Sequence, residues 1–189
     1  MTGTNDLQQF PDDLPVPEDD GACDHLEGLI LPRVTLPTTE GSTITFAEIP
    51  GTTVIYIYPR TGRPDQELPP GWNDIPGARG CTPQSCSFRD HHTELWQRGA
   101  TVFGLSTQDT DYQSEAVQRL ELPFPLVSDA NLEFATALDL PTFDVAGMRL
   151  IKRITLICYE GWIEKVFYPV FPPHQSAEDV LNWLKEHPR

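Results

Sequence analysis

Three short apolar runs constrain this chain most. Val54-Ile-Tyr-Ile-Tyr58, Thr101-Val-Phe-Gly-Leu-Ser106 and Ile154-Thr-Leu-Ile-Cys158 are rich in β-branched and aromatic residues. None alternates with polar positions, which is the pattern of strands covered on both faces. Helical patterns separate them. Thr82 is placed to cap, and Pro83 to occupy the first turn of, a helix that ends at Gly99 and puts Phe88, His92, Leu95 and Trp96 on one face. Thr110 with Gln113 reads as a capping box for a helix through Leu120, which Pro123 prevents from continuing. Ser128 or Asp129 starts another, with Leu132, Ala135 and Leu138 inward. Arg153–Cys158 and Trp162–Phe167 read as a hairpin turned at Gly161, and a last helix from Ser176 buries Ala177, Val180, Leu181 and Leu184.

Parallel βαβ crossovers, then a hairpin and a final helix, predict an α/β fold with a central mixed sheet flanked by helices, in the order of the thioredoxin fold. At 189 residues the chain is the size of one domain with an arm. The arm is predicted over residues 1–22 and the domain over 23–189. Up to Pro32 the chain holds eight acids and no Lys or Arg, the composition of a solvated arm or a strap over the surface. Ser42–Phe46 reads as a short edge strand.

Charge narrows the partners. Thirteen Lys and Arg against 28 Asp and Glu give 13 − 28 = −15, which repels phosphate backbones and anionic lipid. Nucleic acid and membrane are therefore not expected as partners. No apolar run approaches the roughly 20 residues that span a bilayer, and the acidic start lacks the charge of a secretion signal. A cytoplasmic location is expected.

Four cysteines are too few for a disulfide scaffold. Cys23 and Cys158 read as a bystander and a small buried hydrophobe. Cys81 and Cys86 form the one pair with an informative spacing. Cys81 stands at the mouth of a helix, where free N–H groups and the macrodipole favour the attacking thiolate, with Arg79 and Arg89 near in sequence. Residues five apart in a regular helix have Cα atoms roughly 8–9 Å apart. That exceeds the ~7 Å limit for a disulfide, so a Cys81–Cys86 bond requires the first turn to unwind. There is no C-x-x-C dithiol and no second ligand pair for zinc. No metal, nucleotide loop or prosthetic group is expected, so the chemistry rests on side chains. Spacing alone leaves redox function and chance proximity open.

Longer motifs weigh on that choice. Tyr58-Pro59, Gly80-Cys81-Thr82-Pro-Gln-Ser-Cys86-Ser-Phe88-Arg89-Asp90, Val102–Thr107, Leu126–Asp129 and Arg153-Ile-Thr155-Leu-Ile157 together resemble the peroxiredoxins, and most of all their Q-type, bacterioferritin-comigratory branch. The resemblance runs from about Asp24 to the C-terminus. It implies a thioredoxin-like fold and a thiol peroxidase acting on hydrogen peroxide or alkyl hydroperoxides. By position Cys81 is similar to the peroxidatic cysteine, Cys86 to the resolving cysteine that closes an intramolecular disulfide, and Arg153 to the arginine beside the nucleophile. Pro59 matches the proline that shields the thiolate. A thioredoxin-like reductant, and a monomer or weak homodimer, follow from the same resemblance. Where the family places a Thr three residues before the nucleophile this chain has Ala78, leaving Thr61, Thr82 or a backbone N–H to take its place. The inserted Arg60–Gly80 loop is expected to shape substrate access or self-association, or to be a plain surface excursion. A non-catalytic thioredoxin-fold peroxide sensor or interaction domain is the alternative function.

Overall fold

The computed structural model describes residues 7–189, so residues 1–6 of the acidic arm lie outside it. Its centre is a five-stranded mixed sheet in the order β5-β4-β3-β8-β9, formed by β3 (Thr52–Ile57), β4 (Ala100–Ser106), β5 (Leu126–Ser128), β8 (Ile154–Tyr159) and β9 (Trp162–Phe167). The β3–β4 and β4–β5 pairs are parallel, while β3–β8 and β8–β9 are antiparallel. Two hairpins stand outside it: β1 (Thr35–Pro37) with β2 (Thr43–Thr45), and β6 (Thr142–Val145) with β7 (Met148–Ile151).

The unbroken apolar runs are explained by two cores, one on each face. Val54, Tyr56 and Tyr58 point to one side, where they meet Phe88 of α1 (Cys81–Asp90), Leu95 of α2 (His92–Gln97), Ala116 and Leu120 of α3 (Thr110–Leu120) and Ala177, Val180 and Leu181 of α5 (Ser176–Glu186). Ile55 and Ile57 point to the other, against Leu26, Phe46, Phe103 and Phe134, the last from α4 (Glu133–Ala137). Each such side chain contributes about 1.5–3 kcal/mol by leaving water.

Several expectations are corrected. The helix expected to run to Gly99 is two, broken at His91, whose ψ of 5° leaves the helical region. The break turns Trp96 out to solvent at 66 % exposure. Its first cap position is Gly80 rather than Thr82. In α3 the cap is Asp109, which accepts from Tyr112 N at 2.7 Å, and Gln113 instead turns inward to Ser106 Oγ and Val127 O. Ser128 ends a strand rather than starting a helix; α4 starts at Glu133, with the buried Asp129 accepting from Phe134 N and Ala135 N. Strands β1, β5, β6 and β7 were not expected at all.

The acidic leader lies along the domain. Phe10 packs edge-on against Phe171 and His174, at 5.5 and 5.4 Å between ring centres. The 60–80 insertion is also packed, with Trp72 and Ala78 buried in a small cluster with Leu150. No helix among the described residues is long and apolar enough to cross a membrane.

Candidate active site

Topology brings Cys81 and Arg153 together from opposite ends of the chain. Because β8 runs antiparallel to β3, the first residue of β8, Ile154, pairs with the last of β3, Ile57. Arg153, just before β8, therefore stands at the edge where the chain leaves β3 to reach α1. Cys81 opens α1.

Gly80 makes the turn into that helix with φ of +107°. A Cβ there would lie 2.5 Å from Pro173 Cγ and 3.1 Å from Phe10, so only glycine has both the conformation and the room. Gln84 N closes the first turn onto Gly80 O at 3.0 Å.

Arg153 is 3 % exposed, as is Cys81. Its Nη2 donates to Cys81 Sγ at 3.2 Å and to the carbonyls of Gly77, Ala78 and Arg79 at 3.2, 3.1 and 3.3 Å. Nε reaches Gly77 O at 3.3 Å, and Nη1 donates to Gln84 Oε1 at 2.5 Å. A buried cation needs its donors satisfied, and these carbonyls do that. None is a carboxylate, so the full positive charge is left facing the sulfur, where charge-assisted donation is strongest. The Cys81 thiol in turn donates to Ala78 O at 3.6 Å.

Ala78 thus meets the sulfur through its backbone, where the related pattern uses a hydroxyl. The contact is a carbonyl, not the N–H that the sequence allowed. Thr61 does not fold back. Its Oγ1 and N both donate to Gln108 Oε1, at 3.1 and 3.0 Å, and Gln108 Nε2 returns a bond to Thr61 O. Thr82 is buried beside Cys81, and both line a cavity of about 10 Å³ that Leu7, Leu68 and Trp72 also line. Pro59 is buried and borders a larger cavity that Arg153 also lines.

Cys86 is not brought to Cys81. Both are free thiols on one wound helix, which keeps them apart. Cys86 is partly buried, and burial pushes its thiol up from the ordinary range despite the opposing charge of Arg89. Burial pushes Cys23 and Cys158 to about 12, with the acidic Asp20, Asp19 and Asp24 adding to the effect at Cys23. His91 and His92 are boundary residues, His91 Nδ1 bonding Ser87 O at 2.9 Å.

Sequence reasoning missed Gln84 and Ser176. Gln84 Nε2 donates to Ser176 Oγ at 3.2 Å, which is 3.1 Å from Thr155 Oγ1, so a buried relay ties Arg153 to α1, α5 and β8. Its signal was a polar residue three positions after Cys81, on the same helix face. Among the described residues no cluster of His, Cys, Asp or Glu is arranged to hold a metal.

Known proteins share this arrangement of elements. Residues 27–181 match the family model described as Redoxin. The chain is 32% identical over 170 residues to Peroxiredoxin Bcp of Escherichia coli (strain K12), covering 85% of this chain and 96% of that one. Peroxidoxin BcpB from Mycobacterium tuberculosis superposes with a TM-score of 0.70 at 23% identity, covering 86% of this chain and 98% of its own. The bacterioferritin comigratory protein of Xanthomonas campestris, solved as a trapped intermediate and ligand complex bearing on its alkyl peroxide reduction activity, gives 0.65 at 23% identity over 93% of this chain and 99% of its own. A cysteine at the mouth of the helix after the first central strand, in a chain matched over most of its length, leads to one conclusion: this protein belongs to the redoxin family, in its peroxiredoxin Q or bacterioferritin-comigratory branch.

Proposed function

We propose that Cys81 is the peroxidatic cysteine of a peroxidase that reduces hydrogen peroxide and organic hydroperoxides, with Cys86 as resolving cysteine and a thioredoxin-like dithiol as reductant. The observation that carries this reading is the 3.2 Å contact from Arg153 Nη2 to Cys81 Sγ at a helix N-terminus. The Cys81 thiolate attacks the terminal oxygen of the hydroperoxide. An S–O bond forms, the O–O bond breaks, and the leaving alkoxide takes up a proton to depart as alcohol, or as water from hydrogen peroxide. Arg153 meets the charge that develops on the oxygens, a contribution that strengthens as the bond breaks. Pro59 excludes water from the sulfur.

Cysteine sulfenic acid is then the species on Cys81. The thiolate of Cys86 attacks that sulfur, releasing water and forming the disulfide. With the pair set five residues apart on a regular helix, α1 must lose its first turn for this bond to close. Two thiols of the reductant restore both cysteines.

The test is reductant-coupled turnover of the wild-type chain and Cys81→Ser. Turnover lost in the variant and present in the wild type supports the reading. A wild type that oxidises once and does not turn over points to the peroxide sensor instead, and turnover retained by Cys81→Ser overturns Cys81 as the nucleophile.

A further inference from the structure

Residues 7–10 lie before the stretch, 27–181, that matches the redoxin family, yet they cross the start of α1, which carries both cysteines of the pair. Leu7 lines the small cavity on Cys81. Gln8 lines a separate groove together with Pro83, Cys86, Arg89 and His174. Phe10 reaches the turn into the helix. Its ring edge lies 3.1 Å from where a Cβ on Gly80 would stand, and the ring packs against Phe171 and His174.

Anchors outside α1 fix the leader at both ends of this crossing. Leu7 is 8 % exposed, with Cδ2 lying 2.9 Å from where a Cβ on Gly62 of the insertion would stand. Further on, Asp20 accepts from Tyr168 OH at 2.8 Å and from Lys152 Nζ at 3.1 Å. The seat of Phe10 therefore has walls of two kinds. Phe171 and His174 stand before α5, whereas Gly80 is held where it is by the wound first turn of α1, through Gln84 N on its carbonyl.

We propose that the leader is a strap that clamps α1 in its wound state and is released when Cys81 and Cys86 join, so that the redox state of the pair controls the exposure of residues 7–13. The inference rests on the peroxidase reading above. The disulfide forms as the Cys86 thiolate attacks the Cys81 sulfenic acid and the hydroxyl leaves as water, and it requires the first turn to unwind. Unwinding carries Gly80 and Cys81 away from Phe10 and Leu7, so these contacts belong to the wound state alone. Contacts made in one state bias the equilibrium toward it, and by reciprocity whatever abolishes that state weakens the contacts. The strap thus slows disulfide closure, and closure frees an acidic segment carrying Asp12 and Asp13.

The experiment uses the full-length wild type, Phe10→Ala and Phe10→Leu. Phe10 belongs to neither core of the central sheet, so its substitution spares both. On stopped-flow mixing with hydrogen peroxide, the closure phase should speed about tenfold in Phe10→Ala and less in Phe10→Leu, while the attack on peroxide stays within about threefold of wild type. A protease that cuts before aspartate should cleave at Asp12 faster in oxidised than in reduced wild type. Oxidised Cys86→Ser, which holds a sulfenic acid and no disulfide, should resist like the reduced chain. A closure rate in Phe10→Ala within about twofold of wild type, or a leader cut at one rate in both redox states, overturns the strap. If no Cys81–Cys86 disulfide forms by mass, the resolving role of Cys86 fails, and the strap is read in the reduced protein instead. Amide exchange at Gln84, whose N–H closes the first turn on Gly80, should then quicken about tenfold in Phe10→Ala, and an unchanged rate overturns the strap on its own.

Discussion

Gln84 holds Arg153 by a 2.5 Å bond from Nη1 to Oε1, while Nη2 of the same guanidinium reaches Cys81 Sγ at 3.2 Å. The two contacts use opposite prongs of one rigid fork, so fixing the first aims the second. Gln84 is itself fixed through Ser176, which no purely local reading of α1 contains.

Removing that brace should therefore slow the reaction at sulfur without touching sulfur. Gln84→Leu is expected to lower the second-order rate of Cys81 oxidation by roughly ten- to a hundredfold, because small misplacements of a positioned group cost that much. Arg153→Met, which removes the donor itself, should cost about a hundredfold or more. Stopped-flow fluorescence of the reduced protein mixed with peroxide checks both. Gln84→Glu keeps the acceptor oxygen but pairs the guanidinium with a carboxylate, so it should hold Arg153 in place and still react more slowly than the wild type; a wild-type rate would mean that Arg153 acts through geometry alone and not through its unneutralised charge.

Gly80 is constrained twice, by a φ of +107° and by Pro173 Cγ at 2.5 Å from where a Cβ would stand. Gly80→Ala should destabilise the fold by about 2–4 kcal/mol, combining a strained backbone with an overpacked contact. For a chain of this size that lowers the melting temperature by roughly 5–15 °C. Differential scanning calorimetry of the reduced protein measures it; a shift within a degree or two would mean that the turn has another conformation open to it.

Much of this architecture was readable in the chain. The runs at Val54–Tyr58, Thr101–Ser106 and Ile154–Cys158 became the central strands because each is buried on both faces, which removes polar alternation. The short β5 escaped because three residues beside Pro125 carry no periodicity. The β6–β7 hairpin escaped for a different reason. Its turn is Ala146-Gly147 with φ of +49° and +76°, a geometry that asparagine or aspartate usually announces. Trp96 was misplaced because one helix phase was carried through the break at His91. At the site, Cys81 and Arg153 were singled out by motif and lie in contact, whereas the Gln84 brace on Arg153 depends on chain reversal between β3 and β8, and the Ala78 carbonyl, only three residues before Cys81, is a backbone group that no side chain announces. The leader's eight acids read as solvated, yet Asp20 accepts from Tyr168 and Lys152 and Glu27 from Lys165, and the apolar residues between the acids, Phe10 among them, pack against the domain.

Thiol reactivity should be strongly graded along the chain. Burial holds Cys23 and Cys158 at about 12, so neither is appreciably ionised at pH 7–8. Cys86 is shifted in the same direction from the ordinary thiol value, and its thiolate fraction grows about tenfold with each pH unit below its pKa. Iodoacetamide labelling of the native reduced protein, read by peptide mapping, should leave Cys23 and Cys158 unmodified at pH 8 and show Cys86 labelling still climbing from pH 7 to 9. Rapid modification of Cys158 would mean that β8 opens far more readily than its place at the centre of the sheet allows.

Oxidation should register as lost helix. In the reduced state α1 is wound from Cys81, and its first turn is held by Gln84 N on Gly80 O and by Phe10 and Pro173 packed around Gly80. A Cys81–Cys86 disulfide is incompatible with that winding. One equivalent of hydrogen peroxide should remove about two mass units from the wild type, whereas Cys86→Ser should gain about sixteen as sulfenic acid and thirty-two on further oxidation. Amide exchange distinguishes the two products. Residues 81–86 should lose protection in the oxidised wild type and keep it in oxidised Cys86→Ser, because only the disulfide demands unwinding. Equal protection in both, with the disulfide present by mass, would mean that the bond joins two chains rather than two turns of one helix.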